Sequence, residues 1–375
     1  MNSATSIHHA TLRIECRSRH REGGSDLYFM AVPRVADEAA AHAEDAWHAL
    51  AAWLSDHDAA LLEERAFLSA AALPAARAAR ARALADRDDG VPPAWLTVPA
   101  GETGDFAALC AHAVAGGARP RILRRNGMPR GRQWTYDGFS CVAGICLSDG
   151  AGEPAAAARG WLAGADELLA AAGLEWSAVA RTWFWLRDIL RWYGDFNGVR
   201  NDFYRARGLL RADGGHALPA STGIGIAPAD GAPGAMEFVA ESGAAPIARL
   251  LRAGRQNPAS AYGSAFSRAA VSVTPFGRRI HVSGTASIGA DGRTLHAGDP
   301  RAQIAETLRC VRAALAEAGA SVKDVAQTLV YCRTPEVEHV FRREFAGAPF
   351  EGPVLRADIC RDDLLFEVEC LAIVP

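Results

Sequence analysis

Lysine is almost absent from this 375-residue sequence: Lys323 is the only one, although Lys and Arg together number 40. Chemistry that needs a lysine at another position, such as a Schiff base, is therefore excluded. The formal net charge is only −3, and it is spread along the chain without a block of one sign. Proteins that bind nucleic acid carry a basic patch, so we do not expect a nucleic acid as a partner.

Close cysteine pairs and long apolar runs are also missing. The eight cysteines include no C-x-x-C pair, so a zinc ribbon or a dithiol site is not expected. No run is long enough to span a membrane, and the first ten residues carry no apolar signal segment. We therefore expect a protein of the reducing cytoplasm, with no metal and no membrane as partners.

The composition is typical of a packed globular protein, since 50% of the residues are hydrophobic and 22% are charged. An order of strand, strand, helix, strand, helix and strand recurs three times, most clearly in the last third. We therefore predict an α+β fold of three repeated domains, at residues 11–115, 120–230 and 235–375. Each repeat is roughly 120 residues long, which is too long for a solenoid unit.

Three short segments in the last third stand in a characteristic order. They read YGSAFSRA at 262–269, HVSGTASIG at 281–289 and FEVECLAI at 366–373. With the amphipathic helical run at 300–318, they resemble a domain of the Rid (reactive intermediate deaminase) superfamily. The run PASTGIG at 219–225, preceded by Arg181-Thr-Trp183, resembles the signature of the chorismatases within that superfamily. The run at 357–369 resembles them as well.

This resemblance implies a fold and an assembly. Single-domain Rid proteins, which are chorismate-mutase-like, are trimers with their helices outside and their sheets around a central barrel. A chain with three copies can bury all three sheet faces within itself. We therefore predict an intramolecular pseudo-trimer that is a monomer, with a homo-oligomer as the open alternative. The functional pocket is expected where the C-terminal copy meets a neighbouring copy.

The resemblance also implies an activity. Chorismatases cleave the enolpyruvyl ether of chorismate to pyruvate plus a dihydroxycyclohexadiene carboxylate or a hydroxybenzoate. The reaction needs a carboxylic acid that stays protonated near neutral pH and cations for a small carboxylate substrate, but no cofactor. Two alternatives stay open. One is a Rid-type hydrolase or deaminase acting on an imine, enamine or carbamate-like intermediate of secondary metabolism. The other is a catalytically silent protein that binds a small ligand or a partner.

Three residues are candidates for the chemistry. Glu367 lies on an otherwise apolar strand, where burial raises the pKa of a carboxyl group, and the family carries its catalytic glutamate on this strand. Glu369 is two residues further on, and alternation places both on one face, so their titrations are expected to be coupled. Cys360 is the third, since one product type of the chorismatases, which forms a hydroxybenzoate, has a cysteine there.

Arginines and two family motifs supply the candidates for substrate binding. Arg356 follows Pro353 and resembles the arginine that binds the substrate carboxylate in Rid deaminases. Arg361 lies near the position of an arginine that chorismatases use. The planar guanidinium group suits this role because it pairs with a carboxylate through two hydrogen bonds. The remaining candidates lie in the two motifs: Ser221, Thr222, Gly223, Ser267, Arg268 and Ala269.

The sequence departs from the chorismatases in one motif. Where those enzymes read Arg-x-Trp-Asn-Tyr, this chain has Phe184 and Trp185 in the last two places, so a pocket asparagine and a pocket tyrosine are expected to be missing. The middle copy ends in Ile224-Gly-Ile226, with no counterpart of Glu367. We therefore expect only one active pocket in the chain.

Overall fold

The computed structural model of the protein describes residues 2–34, 39–102, 104–148, 152–345, 350 and 352–375. The helices are α1 (Ala39–Asp56), α2 (Leu73–Leu84), α3 (Pro154–Ala171), α4 (Ile189–Ala206), α5 (Pro300–Glu317) and α6 (Pro335–Glu344). None of the helices in these ranges is long and apolar enough to cross a lipid bilayer. The strands are β1 (Asn2–His8), β2 (Leu12–Arg21), β3 (Gly24–Pro33), β4 (Ala60–Leu68), β5 (Ala94–Thr97), β6 (Phe106–Ala115), β7 (Arg121–Arg125), β8 (Met128–Tyr136), β9 (Phe139–Leu147), β10 (Val179–Leu186), β11 (Ala220–Ile224), β12 (Ala227–Pro228), β13 (Gly234–Ser242), β14 (Ala248–Leu250), β15 (Ala269–Thr274), β16 (Gly277–Ala286), β17 (Val325–Cys332), β18 (Val354–Arg356) and β19 (Phe366–Val374).

The strands form three separate sheets with one shared topology. The orders are β1-β2-β3-β6-β4-β5-β12, then β11-β10-β13-β9-β8-β7, and then β14-β15-β16-β19-β17-β18. Each repeat begins with a hairpin. In the sheet, the last strand of the repeat lies between that hairpin and the strand that follows the first helix. The predicted α+β fold of three copies is therefore confirmed, although the sheets have seven, six and six strands where the pattern indicated four per copy.

A β-bulge recurs at one place in the three copies and aligns them residue by residue. It lies near the start of β4, β10 and β17, at residues 61–63, 179–181 and 325–327. A bulge inserts one extra residue into a strand, so its position fixes the register of everything that follows. The three sheets can therefore be compared position by position.

Strand β13 corrects the expected boundary between the second and third domains. The prediction placed residues 235–375 in the third domain. The structure pairs β13 with β9 and β10 at the centre of the second sheet, so the second domain extends to Ser242. The matching strand of the first domain, β6, was not predicted at all. Its run FAALCAHAVA is rich in alanine, which has a low preference for strands.

Helix α5 shows how local sequence builds one repeat. Pro300 opens the helix, and the carboxylate of Asp299 caps it by accepting a hydrogen bond from the backbone N–H of Ala302. Its buried face includes Ile304 and Leu308, at helical spacing. That face packs on β16 and β19, so the helix covers the outer side of the third sheet.

The inner faces of the three sheets meet in one core, while the helices lie outside. Phe67, Trp185 and Tyr331 occupy equivalent positions in β4, β10 and β17, and all three are fully buried in the same central cluster. Each sheet thus buries against the other two the apolar face that it cannot bury alone. This is the predicted pseudo-trimer, made within one chain.

A buried arginine joins the three domains at the centre. Arg279 of β16 donates to Asp26 of β3 at 2.8 Å and to Glu241 of β13. Its guanidinium group also lies 3.7 Å from the thiol of Cys141 on β9. By strand register, Arg279, Cys141 and Asp26 occupy the same position in the three copies. The three equivalent positions therefore meet at the axis with different side chains.

We expect Arg279→Ala to destabilise the chain by about 3–5 kcal/mol, because it removes the guanidinium group that pairs with buried Glu241 and, beside His112, with buried Asp26. Urea unfolding followed by fluorescence measures the change. Arg205→Ala is the matched control, since Arg205 is 58% exposed and its loss should cost no more than about 0.5 kcal/mol. Equal midpoints for the two variants would contradict the role of Arg279.

We expect the protein to be a monomer in solution. Met128 and Val273 are the only large apolar side chains that are strongly exposed among the described residues, so little apolar surface is left for a partner. Light scattering at micromolar concentration should give 39.7 kDa, the mass of one chain. A mass of two or three chains would contradict this prediction.

Candidate active site

A cavity lies where the second domain meets the third, and it encloses about 500 Å³ up to its mouth. The second domain contributes α4 and β11 to its walls. The third domain contributes β16, β19 and the segments at 262–268 and 360–361. This is the kind of junction at which the sequence analysis placed the pocket.

Hydrogen bonds between the two domains fix the geometry of this junction. The backbone N–H of Ser221 donates to the hydroxyl of Ser283 at 2.8 Å, and the N–H of Gly284 donates to the hydroxyl of Thr222 at 2.9 Å. A β-bulge in β16 lies between Val282 and Thr285. The bulge interrupts the ladder at Gly284, whose N–H is then free to bond across the junction.

Glu367 lies at the cavity wall and is 5% exposed. Within the described part of the chain, its carboxyl group has no side-chain hydrogen-bond donor. Burial and the charge of Glu369, opposed by Arg181, together raise the pKa of Glu367 to about 8. A Cβ atom at Gly284 would collide with the Oε1 atom of Glu367. Glycine at that position therefore leaves room for a protonated carboxyl group facing the cavity.

Glu369 has the opposite environment, although it shares a strand face with Glu367. It accepts hydrogen bonds from Arg181 Nη2 and Trp183 Nε1, both at 2.7 Å, and from the hydroxyl of Thr222. It does not line the cavity. Glu369, which was expected to take part in the chemistry, is thus a buried carboxyl group held by three donors away from this cavity.

Three arginines line the cavity without a carboxylate partner in the described ranges: Arg200, Arg268 and Arg361. Arg268 is 2% exposed and donates to the hydroxyl of Tyr262 at 2.7 Å and to a backbone carbonyl. Arg361 donates to a carbonyl at 2.6 Å, and Arg200 to the side-chain oxygen of Asn197 at 2.6 Å. The Nε atom of Arg200 is buried without a partner. Cations that lack an anion suit the cavity to a negatively charged ligand.

Cys360 lies at the wall beside the Tyr193 side chain. Burial raises the pKa of its thiol to about 12, and the charge of Glu367 adds to the rise. The thiol is therefore neutral near pH 7 and is a poor nucleophile. A Cβ atom at Gly223 would lie 3.4 Å from the ring of Tyr193, so Gly223 lets this ring reach the wall.

Three of the expected substrate-binding residues lie elsewhere. The Nε atom of Arg356 is 3.8 Å from Glu338 of α6, away from the cavity. Ser267 is fully buried, and its hydroxyl donates to the carbonyl of Leu218 at 2.6 Å. Ala269 is a buried residue of β15. Of Ser267, Arg268 and Ala269, only Arg268 reaches the cavity, because alternate residues of an extended segment point in opposite directions.

The departures at residues 184 and 185 also lie outside the cavity. Phe184 packs against Phe196 of α4, with ring centroids 4.7 Å apart. Trp185 donates from Nε1 to Glu237 at 2.7 Å in the central core. The expected loss of a pocket asparagine and a pocket tyrosine therefore does not describe this cavity.

The counterparts of Glu367 are alanines. Strand register places Ala108 of β6 and Ala235 of β13 at the equivalent positions. The middle copy does lack the carboxyl, as expected, but the sequence analysis compared the wrong strand when it used residues 224–226.

Sequence reasoning missed several wall residues, above all Tyr193, Arg200 and Gly284. Tyr193 and Arg200 are seven residues apart in the sequence, the i, i+7 spacing that places side chains on one face of a helix. That spacing was a usable signal. Gly284 carried no local signal, because its role depends on Glu367, which comes from a distant strand.

Comparison with known proteins agrees with the three-domain architecture. A crystal structure of a chorismatase superposes on 97% of this chain and 100% of its own chain, with a TM-score of 0.62 and 21% identity, and this likeness shows the fold. Residues 257–374 match the family model described as Endoribonuclease L-PSP. A member of the YjgF/YER057c/UK114 family from Mycobacterium tuberculosis matches at 26% identity, over 34% of this chain and 99% of its own, with a TM-score of 0.26. A Rid-family protein from Yersinia pestis matches at 20% identity over 34% and 99%, with a TM-score of 0.27.

We expect Glu367 to hold its proton at pH 7 and to lose it near pH 8, because burial disfavours its charged form. Difference infrared spectroscopy between pH 6 and pH 10 should show a carboxylic-acid band that disappears in this range. The band should be missing in Glu367→Gln and unchanged in Glu336→Gln, since Glu336 is exposed. A band that survives Glu367→Gln would assign the proton to another group.

Proposed function

We propose that this protein cleaves the enolpyruvyl ether of chorismate, since residues 257–374 match the Endoribonuclease L-PSP family model and the whole chain has the fold of a chorismatase. One observation carries the proposal. Glu367 presents a buried carboxyl group of raised pKa to a cavity that three arginines line. A general acid that is protonated near neutral pH, next to cations for carboxylates, is what the cleavage of a vinyl ether on an anionic substrate requires.

Glu367 would act as the general acid. Its proton moves to the terminal methylene carbon of the enolpyruvyl group, which leaves an oxocarbenium ion at the ether carbon and a carboxylate on Glu367. Water then adds to that carbon and returns a proton to Glu367. The resulting hemiketal collapses to pyruvate and a dihydroxycyclohexadiene carboxylate. Formation of a hydroxybenzoate and pyruvate instead takes up no net water, because the ring loses its own hydroxyl.

The cavity arginines would hold the substrate carboxylates, of which chorismate has two. Arg268 and Arg361 both lie near the ring of Tyr262, with their guanidinium carbons 5.6 and 5.4 Å from its centroid. Their present partners are neutral oxygens, and a carboxylate would replace these with stronger, charge-assisted hydrogen bonds. The mechanism calls for no metal or redox cofactor, and that absence stays a prediction.

The geometry favours this activity over a Rid-type imine hydrolase or deaminase. That alternative drew on Arg356 acting together with Glu367. Arg356 pairs with Glu338 and does not line the cavity, so the two groups do not converge on one ligand. A silent ligand-binding protein remains the outcome if no substrate is turned over.

We expect the protein to release pyruvate from chorismate, and Glu367→Gln to lower kcat by about a hundredfold or more, because an amide cannot deliver the proton. A coupled lactate dehydrogenase assay measures the pyruvate, and chromatography of the second product separates the two product types. Glu336→Gln is the matched control and should keep full activity. Turnover that is unchanged in Glu367→Gln would remove Glu367 as the acid, and no pyruvate from the wild type would refute the activity.

We expect Arg268→Ala and Arg361→Ala each to raise KM for chorismate by about tenfold or more, since losing a hydrogen bond to a charged group costs about 1.5–3 kcal/mol. Arg356→Ala provides the comparison and should leave KM unchanged. Steady-state kinetics measures all three variants. An increase of KM in Arg356→Ala alone would favour the Rid-type alternative and contradict the cavity as the substrate site.

A further inference from the structure

Glu367 and Glu369 belong to one strand of the third domain, but the groups that make them different come from the second domain. We propose that Trp183, Arg181 and Thr222 are positioning residues that hold the charge of this carboxyl pair on Glu369 and so leave the proton on Glu367. The inference rests on the proposed function for its consequence in catalysis. Which of the two carboxyl groups, Glu367 or Glu369, carries the proton can be tested without a substrate.

The hydrogen bonds on the two carboxyls are unequal. Glu369 accepts from Arg181 and Trp183 at 2.7 Å each and from Thr222. All three donors lie on β10 or β11 of the second domain and are buried. The indole N–H can only donate, so it favours a carboxylate over a carboxylic acid. The Glu367 carboxyl has none of these donors, and in the described ranges no side chain takes their place.

Among the described residues, Arg181 is the one cation that acts on both carboxyl groups of the pair. Arg181 bonds to Glu369, whereas Arg65 lies over the ring of Trp183 at 3.8 Å and is already paired with Glu237 at 2.9 Å. Two buried carboxylates on one strand face cannot both be ionised at low cost beside a single arginine, so the pair keeps one proton. The other ionisable groups around the pair are Cys360, Cys370, Tyr331 and His281, and none of them is a second cation for it. Arg200, Arg268 and Arg361 line the cavity that Glu367 faces, but Arg181 is the cation that lowers the pKa of Glu367.

The proton therefore goes to the carboxyl that lacks donors, and that is the one at the cavity. Arg181 and Trp183 of the second domain would thus keep the acid of the third domain protonated, although they do not line the cavity themselves. Removing a donor from Glu369 should let the proton spend part of its time there, where it cannot reach the cavity. Removing the charge of Glu369 should instead make Glu367 a stronger acid.

The test compares Trp183→Phe with Trp185→Phe. Both remove an indole N–H from β10, but the Nε1 atom of Trp185 donates to Glu237 and does not contact Glu369. In Trp183→Phe we expect the plateau of kcat against pH to fall by about tenfold, and its alkaline limb to move to higher pH, because the pair then loses its last proton less readily. In Trp185→Phe neither should change. Glu369→Gln should move the alkaline limb to lower pH, which is the opposite direction.

A purely structural role would lower activity by the same factor at every pH. That result in Trp183→Phe, or an alkaline limb that Glu369→Gln leaves in place, would overturn the inference. Thr222→Val and Thr222→Ser give a second pair: only the serine keeps the hydroxyl donor, so only Thr222→Ser should retain the wild-type profile. Equal profiles for the two would also count against the inference.

Infrared titration of the substrate-free protein separates this inference from the proposed function. In Trp183→Phe the carboxylic-acid band should shift in frequency, because part of the proton moves to a differently bonded group, and in Trp185→Phe it should not. If chorismate is not a substrate but the band behaves in this way, the positioning role stands and the activity is wrong. If chorismate is cleaved but the band is unchanged in Trp183→Phe, only the positioning role fails.

Discussion

Charges buried without water must be paired, and this constraint shapes the centre of the molecule. Arg279 of the third domain meets Asp26 of the first and Glu241 of the second where the three sheets converge. In the described ranges, Arg279 and Glu241 find their charged partners only in other domains, whereas Asp26 also bonds to His112 and Tyr28 of its own domain. These buried charges are all paired only when the three domains are arranged correctly. The ion pairs therefore favour that arrangement over others.

The need to pair buried charges also shapes the region around the candidate active site. Glu237 and Glu369 occupy equivalent positions in β13 and β19, and each is held by an arginine and an indole N–H from another strand. Glu367, two residues before Glu369, has no such partners and faces a cavity instead. Next to this core of paired charges, at the junction of the second and third domains, Glu367 is thus a carboxyl group that keeps its proton.

The sequence predicted those features whose causes are local. Glu367 could be chosen because it lies on an otherwise apolar strand, at the position where the family resemblance places a catalytic glutamate, and α5 because its cap and apolar spacing lie within one short segment. The sheet to which β13 belongs, the pairing of Arg356 with Glu338 and the role of Gly284 could not be chosen in this way. Each depends on strands that are far apart in sequence, and an apolar strand carries no mark of the neighbours it will pair with.

Covalent connection of the three copies has a consequence for how such a protein can change. In a trimer of identical chains, one codon sets all three residues at the axis, so that an arginine there would meet two other arginines. Here Asp26, Cys141 and Arg279 occupy that position under three separate codons. One copy could therefore acquire a charge and another copy its counter-charge, a route to asymmetry that identical subunits do not have. Because the third copy now carries Arg279 at this position, three identical third copies could no longer pack around the axis: their arginines would meet one another.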